Sequence, residues 1–254
     1  LGVDFSKLQR IEVAIGSYWA FENDLITDQL LEFGAHTRNE LAMLMDHVRP
    51  GFTVVDIGAH IGTYAVPIAR KIGAAGKLLA IEGSSETFEV LTLNICVNEL
   101  LHTVQCRNEI LCDSDTASFE RTNTKNNTGA GAFLPSSDGV YGTEAYRCLL
   151  LSGFAKPDLI KIDVEGMECA ILRSIQPILR AVRPILYIEV VKEQLERTGG
   201  SRDLLQELLE PHGYNFYRNV GERNSSSDTY QMVKLETLAD GGDFFDLLAL
   251  PTGP

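Results

Sequence analysis

From Thr53 onward the chain alternates short apolar runs with longer amphipathic ones, a pattern that predicts parallel strands covered by helices. Thr53-Val-Val-Asp-Ile-Gly58 reads as a buried strand ending in a glycine turn, with helix character from about Gly62 to Ile72 and Gly73 and Gly76 closing it. Lys77 to Glu82 reads as a second strand, Ser84 or Ser85 caps a helix running to about Leu100, and Thr103 to Asn108 reads as a third strand. The rhythm breaks at 121–148, where Asn, Gly, Thr and Ser dominate around Pro135; an irregular insertion of this length is expected to be lid-like. Regularity returns with a strand at Asp158–Asp163, a helix at about Met167–Ile175, a strand at Pro184–Glu189 and a helix near 201–210. Tyr214–Tyr217 and Tyr230–Leu235 read as a closing pair of strands. Upstream, Arg38–His47 is an amphipathic helix, and residues 1–36 read as an N-terminal extension packing near the substrate cleft of a domain spanning 37–254.

The chain's 254 residues suffice for one large α/β domain. Its net charge of −13 gives no general attraction for phosphate backbones or anionic lipid surfaces, so neither nucleic acid nor a membrane is an expected partner. Five cysteines, at 96, 106, 112, 148 and 169, show no C-x-x-C spacing and read as reduced and structural. No apolar run has the length of a membrane span and the first residues carry no signal-peptide pattern, which points to the cytoplasm. The chain begins at Leu1, so an upstream segment stays open; a homodimer is allowed without being indicated.

The strongest local signal is Val54-Val-Asp56-Ile-Gly58-Ala59-His60-Ile-Gly62, a strand, a tight turn and a helix start in that order. Gly58 lets the backbone turn, and Gly62 would let a ligand approach the helix N-terminus, although any plain βα turn has similar needs. The spacing is G-x-x-x-G rather than the G-x-G-x-x-G favoured by a pyrophosphate. Asp56 would repel a phosphate but attract an ammonium group, which suits S-adenosylmethionine. Glu82, at the end of the second strand, is placed to accept hydrogen bonds from two ribose hydroxyls, a device that nicotinamide enzymes share.

These blocks resemble the FkbM family of methyltransferases over roughly residues 36 to 250. The most specific piece is Asp158-Leu-Ile-Lys-Ile-Asp163-Val-Glu165-Gly166-Met-Glu168-Cys-Ala-Ile-Leu172, supported by the glycine turn, the Glu82 strand, Leu93-Asn94-Ile-Cys-Val-Asn98, Asn108-Glu-Ile-Leu-Cys-Asp113 and Ile188-Glu189. Two positions depart: His60 stands where the family commonly has Asn, and Ser84 where it has Pro.

The resemblance implies a Rossmann-like class I methyltransferase fold: a mostly parallel seven-stranded sheet, helices on both faces and a C-terminal antiparallel strand. It implies S-adenosylmethionine as cofactor. Asp56, Gly58, Ala59, His60 and Gly62 would hold its methionine end, Glu82 with Gly83 its ribose, Glu109 with Ile110 its adenine, and Asp163 its reactive end. Asp163, Glu165 and Glu189 are the catalytic candidates, able to orient or deprotonate an acceptor hydroxyl, although Asp163 and Glu165 also suit capping of the next helix. Glu168 reads as a surface or capping group, and His36, His47, His102 and His212 show no convergent pattern. Nothing in the spacing fixes a metal ligand set, and a metal-free reaction is expected. The expected activity is O-methylation of a small molecule such as a sugar or polyketide. A nicotinamide oxidoreductase and a non-catalytic cofactor-binding module are the alternatives.

Overall fold

The apolar runs at 53–57, 77–82, 159–162 and 185–191 become neighbouring strands because they are mostly apolar on both faces, and a sheet covered on both sides buries most of their residues. The structure, a computed structural model, describes residues 4–122 and 127–253. The chain opens with an antiparallel hairpin, β1 (Leu8–Val13) and β2 (Gly16–Phe21), then helices α1 (Leu25–Phe33) and α2 (Arg38–His47). β3 (Thr53–Ile57), α3 (Ala65–Ile72), β4 (Lys77–Glu82), α4 (Ser85–Val97) and β5 (Val104–Asn108) follow. Short strands β6 (Leu111–Cys112), β7 (Ser118–Arg121), β8 (Phe133–Pro135), β9 (Val140–Tyr141) and β10 (Thr143–Glu144) lead to α5 (Ala145–Leu151). The second half comprises β11 (Leu159–Ile162), α6 (Glu168–Ser174), α7 (Gln176–Ala181), β12 (Ile185–Val191), α8 (Lys192–Arg197), α9 (Arg202–Leu209), β13 (Tyr214–Asn219), β14 (Met232–Leu235) and β15 (Phe244–Pro251).

The main sheet has the order β14-β13-β15-β12-β11-β3-β4-β5. β5, β4, β3, β11 and β12 run parallel, while β15 is antiparallel to both of its neighbours and β14 antiparallel to β13. The seven-stranded expectation is therefore corrected to an eight-stranded mixed sheet. The closing pair does form, and the expected C-terminal antiparallel strand is β15, at residues no sequence pattern marked, which inserts between β12 and β13. A short apolar run at the end of a chain carries no period that separates strand from helix; only the open edge of β12 decides it.

Alternation along each strand divides the core. Val54, Leu78, Ala80 and Leu159 face α2, α3, α4 and the N-terminal hairpin, whereas Val55, Ile57, Leu79, Ile81, Ile160 and Ile162 face α5, α6, α7 and α9. The hairpin is bound to α4 by the two asparagines of the Leu93–Asn98 motif. Asn94 accepts from Trp19 N (2.7 Å) and donates to Trp19 O and Ile61 O (2.9 Å each), and Asn98 accepts from Ser17 N and donates to Ser17 O. Four residues apart, in the last turn of α4 and at its C-cap, the two amides act as a surrogate strand edge for β2 and tie it to the glycine turn.

The insertion is more regular than its composition predicted. β7 pairs with β8 and β9 in a small antiparallel sheet, β10 pairs with β6 at its base, and α5 begins at Ala145. The part of the expected lid at 123–126 lies outside the described residues. Among the described residues no helix is long and apolar enough to cross a membrane.

Candidate active site

The carboxyl ends of β3, β4, β5, β11 and β12 surround one cavity of about 340 Å³. The chain leaves β3 toward β4 and β5 on one side and returns to β11 and β12 on the other, so the cavity sits where the crossovers diverge, the usual ligand position of an open α/β sheet.

The turn after β3 adopts positive φ at Gly58 (79°), His60 (50°) and Gly62 (92°). His60 holds a left-handed conformation that asparagine adopts more easily than most residues. Gly62 does not reach the cavity wall: a Cβ there would meet Leu91 at 3.1 Å and Val66 at 3.7 Å, so this glycine serves packing beneath α4. The expected ligand approach at Gly62 is thereby corrected; α3 starts only at Ala65. Gly58, Ala59 and His60 do line the cavity.

Glu82 is buried in the wall. Its Oε2 accepts from His60 N (2.9 Å) and its Oε1 from Ser84 N (2.8 Å), and burial raises its pKa. Each oxygen keeps a second lone pair for another donor. Gly83 lies under Phe133 and Ile110, 2.7 and 3.2 Å from where a Cβ would stand, and Ile110, Phe133 and Glu109 continue the wall. Arg107 Nε fixes Glu109 at 2.6 Å.

Asp56 takes no part in the wall. It is 0% exposed, and Lys161 beside it on β11 places Nζ 3.3 Å from its Oδ1 and 3.1 Å from Asp163 Oδ2. The expectation that Asp56 meets a ligand's ammonium directly is corrected: its carboxylate faces the internal ammonium of Lys161 instead of the cavity. Burial raises the pKa of Asp56. Burial alone would lower Lys161, but Asp163 and Asp56 outweigh it and raise the ammonium above the ordinary range; Asp163 is lowered in turn, Lys161 overcoming its burial. Lys161 was legible in the signature segment but went unassigned.

The three catalytic candidates converge. Asp163, Glu165 and Glu189 each offer an oxygen within 4.8 Å of the others, a set that could hold a metal ion. Two of them already face cations: Asp163 faces Lys161, and Glu189 Oε1 faces Arg223 Nη2 at 3.0 Å, whose Nη1 lies 2.9 Å from Asp246. Burial and the Asp163 charge raise Glu189 well above the carboxylate range. Glu165, at φ 57°, accepts from Gln194 and is pushed up to about 8 by burial, then by Asp163 and Glu168. Glu168 is buried rather than superficial and caps the turn, accepting from Val164 N (3.1 Å) and Gly166 N (3.2 Å).

The N-terminal segment and the insertion complete the wall through Leu25, Ile26, Gln29, His36, Arg121 and Thr128–Gly131. Asp24 Oδ2 accepts from Thr128 N (2.6 Å) and Thr128 Oγ1 (2.9 Å), and Thr128 Oγ1 lies 2.9 Å from His60 Nε2. With its own proton directed to Asp24, the hydroxyl accepts from Nε2–H, and burial holds the His60 imidazole neutral with a pKa of about 4. Of the sequence candidates, Gly58, Ala59, His60, Glu82, Gly83, Glu109, Ile110, Asp163, Glu165 and Glu189 share this cavity, and Asp56 and Gly62 stand behind it. His36, Arg121 and Phe133 reach it from the N-terminal extension and the lid-like insertion, and Arg223 from the loop after β13, without a local pattern that singles out these residues.

Comparison with known proteins follows the same lines. Methyltransferase sdnD of Sordaria araneosa is 26% identical over 219 residues, covering 71% of this chain and 79% of its own. The M. jannaschii tRNA m1G37 methyltransferase has a similar fold, with a TM-score of 0.50 at 14% identity over 98% of this chain and 57% of that one. A precorrin-6y C5,15-methyltransferase from Geobacter metallireducens GS-15 superposes with a TM-score of 0.49 at 13% identity, over 84% of this chain and 87% of that one. The methyltransferase FkbM domain matches residues 56–216, which contain both the glycine turn and the Asp163–Glu165 strand end, and this chain belongs to that family.

Proposed function

We propose that the cavity binds S-adenosylmethionine and that the chain methylates an oxygen of a small-molecule acceptor. The observation that carries this reading is the carboxyl-rich chemistry of the wall. Glu82, Glu109, Asp163, Glu165 and Glu189 line it against Arg121, Lys161 and Arg223, and Lys161 and Arg223 are already engaged by carboxylates. A low-dielectric wall rich in hydrogen-bond-accepting carboxyls, with two of its three cations already engaged, suits a ligand bearing an ammonium and a sulfonium better than a pyrophosphate. Membership of a methyltransferase family sets the nicotinamide alternative aside.

The residues fit the cofactor. The free lone pairs of Glu82 would take the ribose hydroxyls, and Ile110 and Phe133 would flank the adenine. The Gly58–His60 backbone and Asp163 would border the methionine end. When bound, the cofactor supplies an electrophilic methyl group. The chain then aligns the acceptor, excludes water with the insertion tip seated against α1, and keeps the acceptor oxygen near the strand ends. The Lys161 and Arg223 charges facing Asp163 and Glu189 support a reaction without a metal ion. A cavity of about 340 Å³ and a net charge of −13 favour a small metabolite over a nucleic acid.

Calorimetry with S-adenosylmethionine, S-adenosylhomocysteine and NAD tests the cofactor. The first two should bind and NAD should not, and Glu82→Gln should weaken binding by about 1–3 kcal/mol. Unchanged affinity in that variant removes Glu82 from the site, and preferential binding of NAD overturns the reading. Labelled methyl transfer into a small-molecule extract, with mass spectrometry of the product, tests the methylated atom; label on nitrogen or carbon refutes O-methylation.

A further inference from the structure

His36, in the turn between α1 and α2, lines the cavity, and nothing in the reaction above uses it. Its Nδ1 lies 2.7 Å from Gln29 Oε1, which also accepts from the Thr37 backbone N–H at 3.3 Å. A backbone N–H only donates, so the Gln29 atom it meets has to be the carbonyl oxygen. The opposite amide orientation would set NH2 against N–H. An oxygen facing Nδ1 in turn requires the proton on Nδ1, which leaves the neutral ring's lone pair on Nε2. Among the described residues Nε2 has no hydrogen-bond partner, and it is not one of the atoms sealed from solvent.

The position is suited to chemistry. The His36 and Tyr64 rings meet edge to face, 6.5 Å between centroids. The same Tyr64 ring lies 5.2 Å from Lys161 Nζ, which holds Asp163 at 3.1 Å. His36 and Asp163 thus gather around one tyrosine. The nearby carboxylates are engaged: Asp163 by Lys161, Glu189 by Arg223 and Glu165 by Gln194. Burial holds the imidazole neutral, with a pKa of about 3, so Nε2 is proton-free at neutral pH.

We propose that His36 Nε2 receives the proton of the acceptor hydroxyl, with Gln29 as the positioning residue that sets the tautomer. The assignment rests on the methyl-transfer reading above. In the step, the acceptor oxygen bonds to the methyl carbon and the carbon–sulfur bond breaks with its electron pair passing to sulfur. The O–H bond breaks with its pair left on oxygen, and the proton goes to Nε2. The Asp163 carboxylate stabilises the resulting imidazolium, which then returns its proton to water.

The test combines nitrogen NMR of 15N-histidine-labelled protein, calorimetry with S-adenosylhomocysteine, and labelled methyl transfer from S-adenosylmethionine into a small-molecule extract. Wild-type protein should show His36 as the Nδ1–H tautomer; Gln29→Leu should mix the two tautomers, and Gln29→Glu should restore the first. His36→Phe should lose roughly 10²–10⁴-fold in methyl transfer while product affinity holds. If His36→Phe does not fold, His36→Asn provides the same comparison. An Nε2–H tautomer in the wild type overturns the assignment, as does a His36 variant that transfers methyl at the wild-type rate. Wild-type protein that binds neither cofactor nor product refutes the broader reading, an outcome distinct from both.

Discussion

A Cβ on Gly58 would lie 1.7 Å from the carbonyl oxygen of Asp163. The two strand ends touch because Asp163 N donates to Ile57 O at 3.0 Å, which brings the β11 backbone directly over the β3 turn. Gly58→Ala therefore has to separate β3 from β11 and also strain a backbone at φ 79°. A stability loss of roughly 2–4 kcal/mol is expected, with weaker S-adenosylhomocysteine binding in whatever folds. Gly62→Ala meets only side-chain carbons and should cost less. Urea titrations of the two variants provide the check, and equal losses would contradict the placement of the strand ends.

Lys161→Met should leave two carboxylates facing each other without a counter-charge. Because Asp56 is 0% and Lys161 3% exposed on the side chain, the loss is that of a broken buried pair, roughly 3–5 kcal/mol. Adding Asp56→Asn should recover part of it, since the removed charge no longer needs a partner. Denaturant midpoints across the four-protein cycle measure this coupling, and additive losses would show that the pair is not coupled.

Glu165 predicts a pH-dependent difference. Folding raises its pKa from 4.5 to about 8, so the folded chain binds this proton more tightly than the unfolded one. That stabilisation is complete below the unfolded value and disappears as pH rises through the folded one. Glu165→Gln cannot ionise, so its stability relative to wild type should increase between about pH 4.5 and about pH 8. The histidines and Glu168 are common to both proteins. Melting temperatures at the two ends of the window test this, and a constant difference would rule out a protonated Glu165. Methyl transfer at neutral pH should fall less than about tenfold, because a protonated carboxyl and an amide both donate hydrogen bonds and neither is a base.

Asp24 ties the insertion to the N-terminal segment. Its Oδ1 caps α1 at Ile26 N (3.0 Å), and its Oδ2 holds Thr128 through backbone and hydroxyl. Asp24→Ala should cost about 1 kcal/mol from the cap and about as much again from the tie. Amide exchange should accelerate at Thr128–Ala130 more than elsewhere. Thr128→Val isolates the hydroxyl contact and should also release His60 Nε2. Exchange at these amides unaffected by both variants would show that the insertion tip is held by something else.

Much of the fold was legible because its determinants are local. The β4 limits, Lys77–Glu82, and the α2 limits, Arg38–His47, coincide with the sequence reading, since continuous apolar runs and a 3.6-residue period need no knowledge of partners. The hairpin at 8–21, the position of β15 and the small sheet in the insertion went unread, because each is set by an edge or by side chains far away in sequence. Asn94 and Asn98, for instance, stand some 75 to 81 residues from the strand they complete.

The chain's own residue order determined that Gly58, Glu82, Glu109 and Asp163 would stand at strand ends, since an acid or glycine closing a buried apolar run has only the sheet edge to occupy, whereas Glu189 lies inside β12, which runs on to Val191. Sequence alone also determined the acidic balance that supports a cationic ligand. Tertiary structure decided which of these groups remain free. Asp56 looked available until the register of β3 against β11 set Lys161 beside it, and Gly62 looked open until Leu91 of α4 filled the space. His36 and Arg223 carried no local signal, yet loops from opposite ends of the chain deliver both to the cavity. Periodicity reports which face of an element is buried, whereas the charge partner of a buried side chain depends on register and long-range packing, which no local pattern encodes.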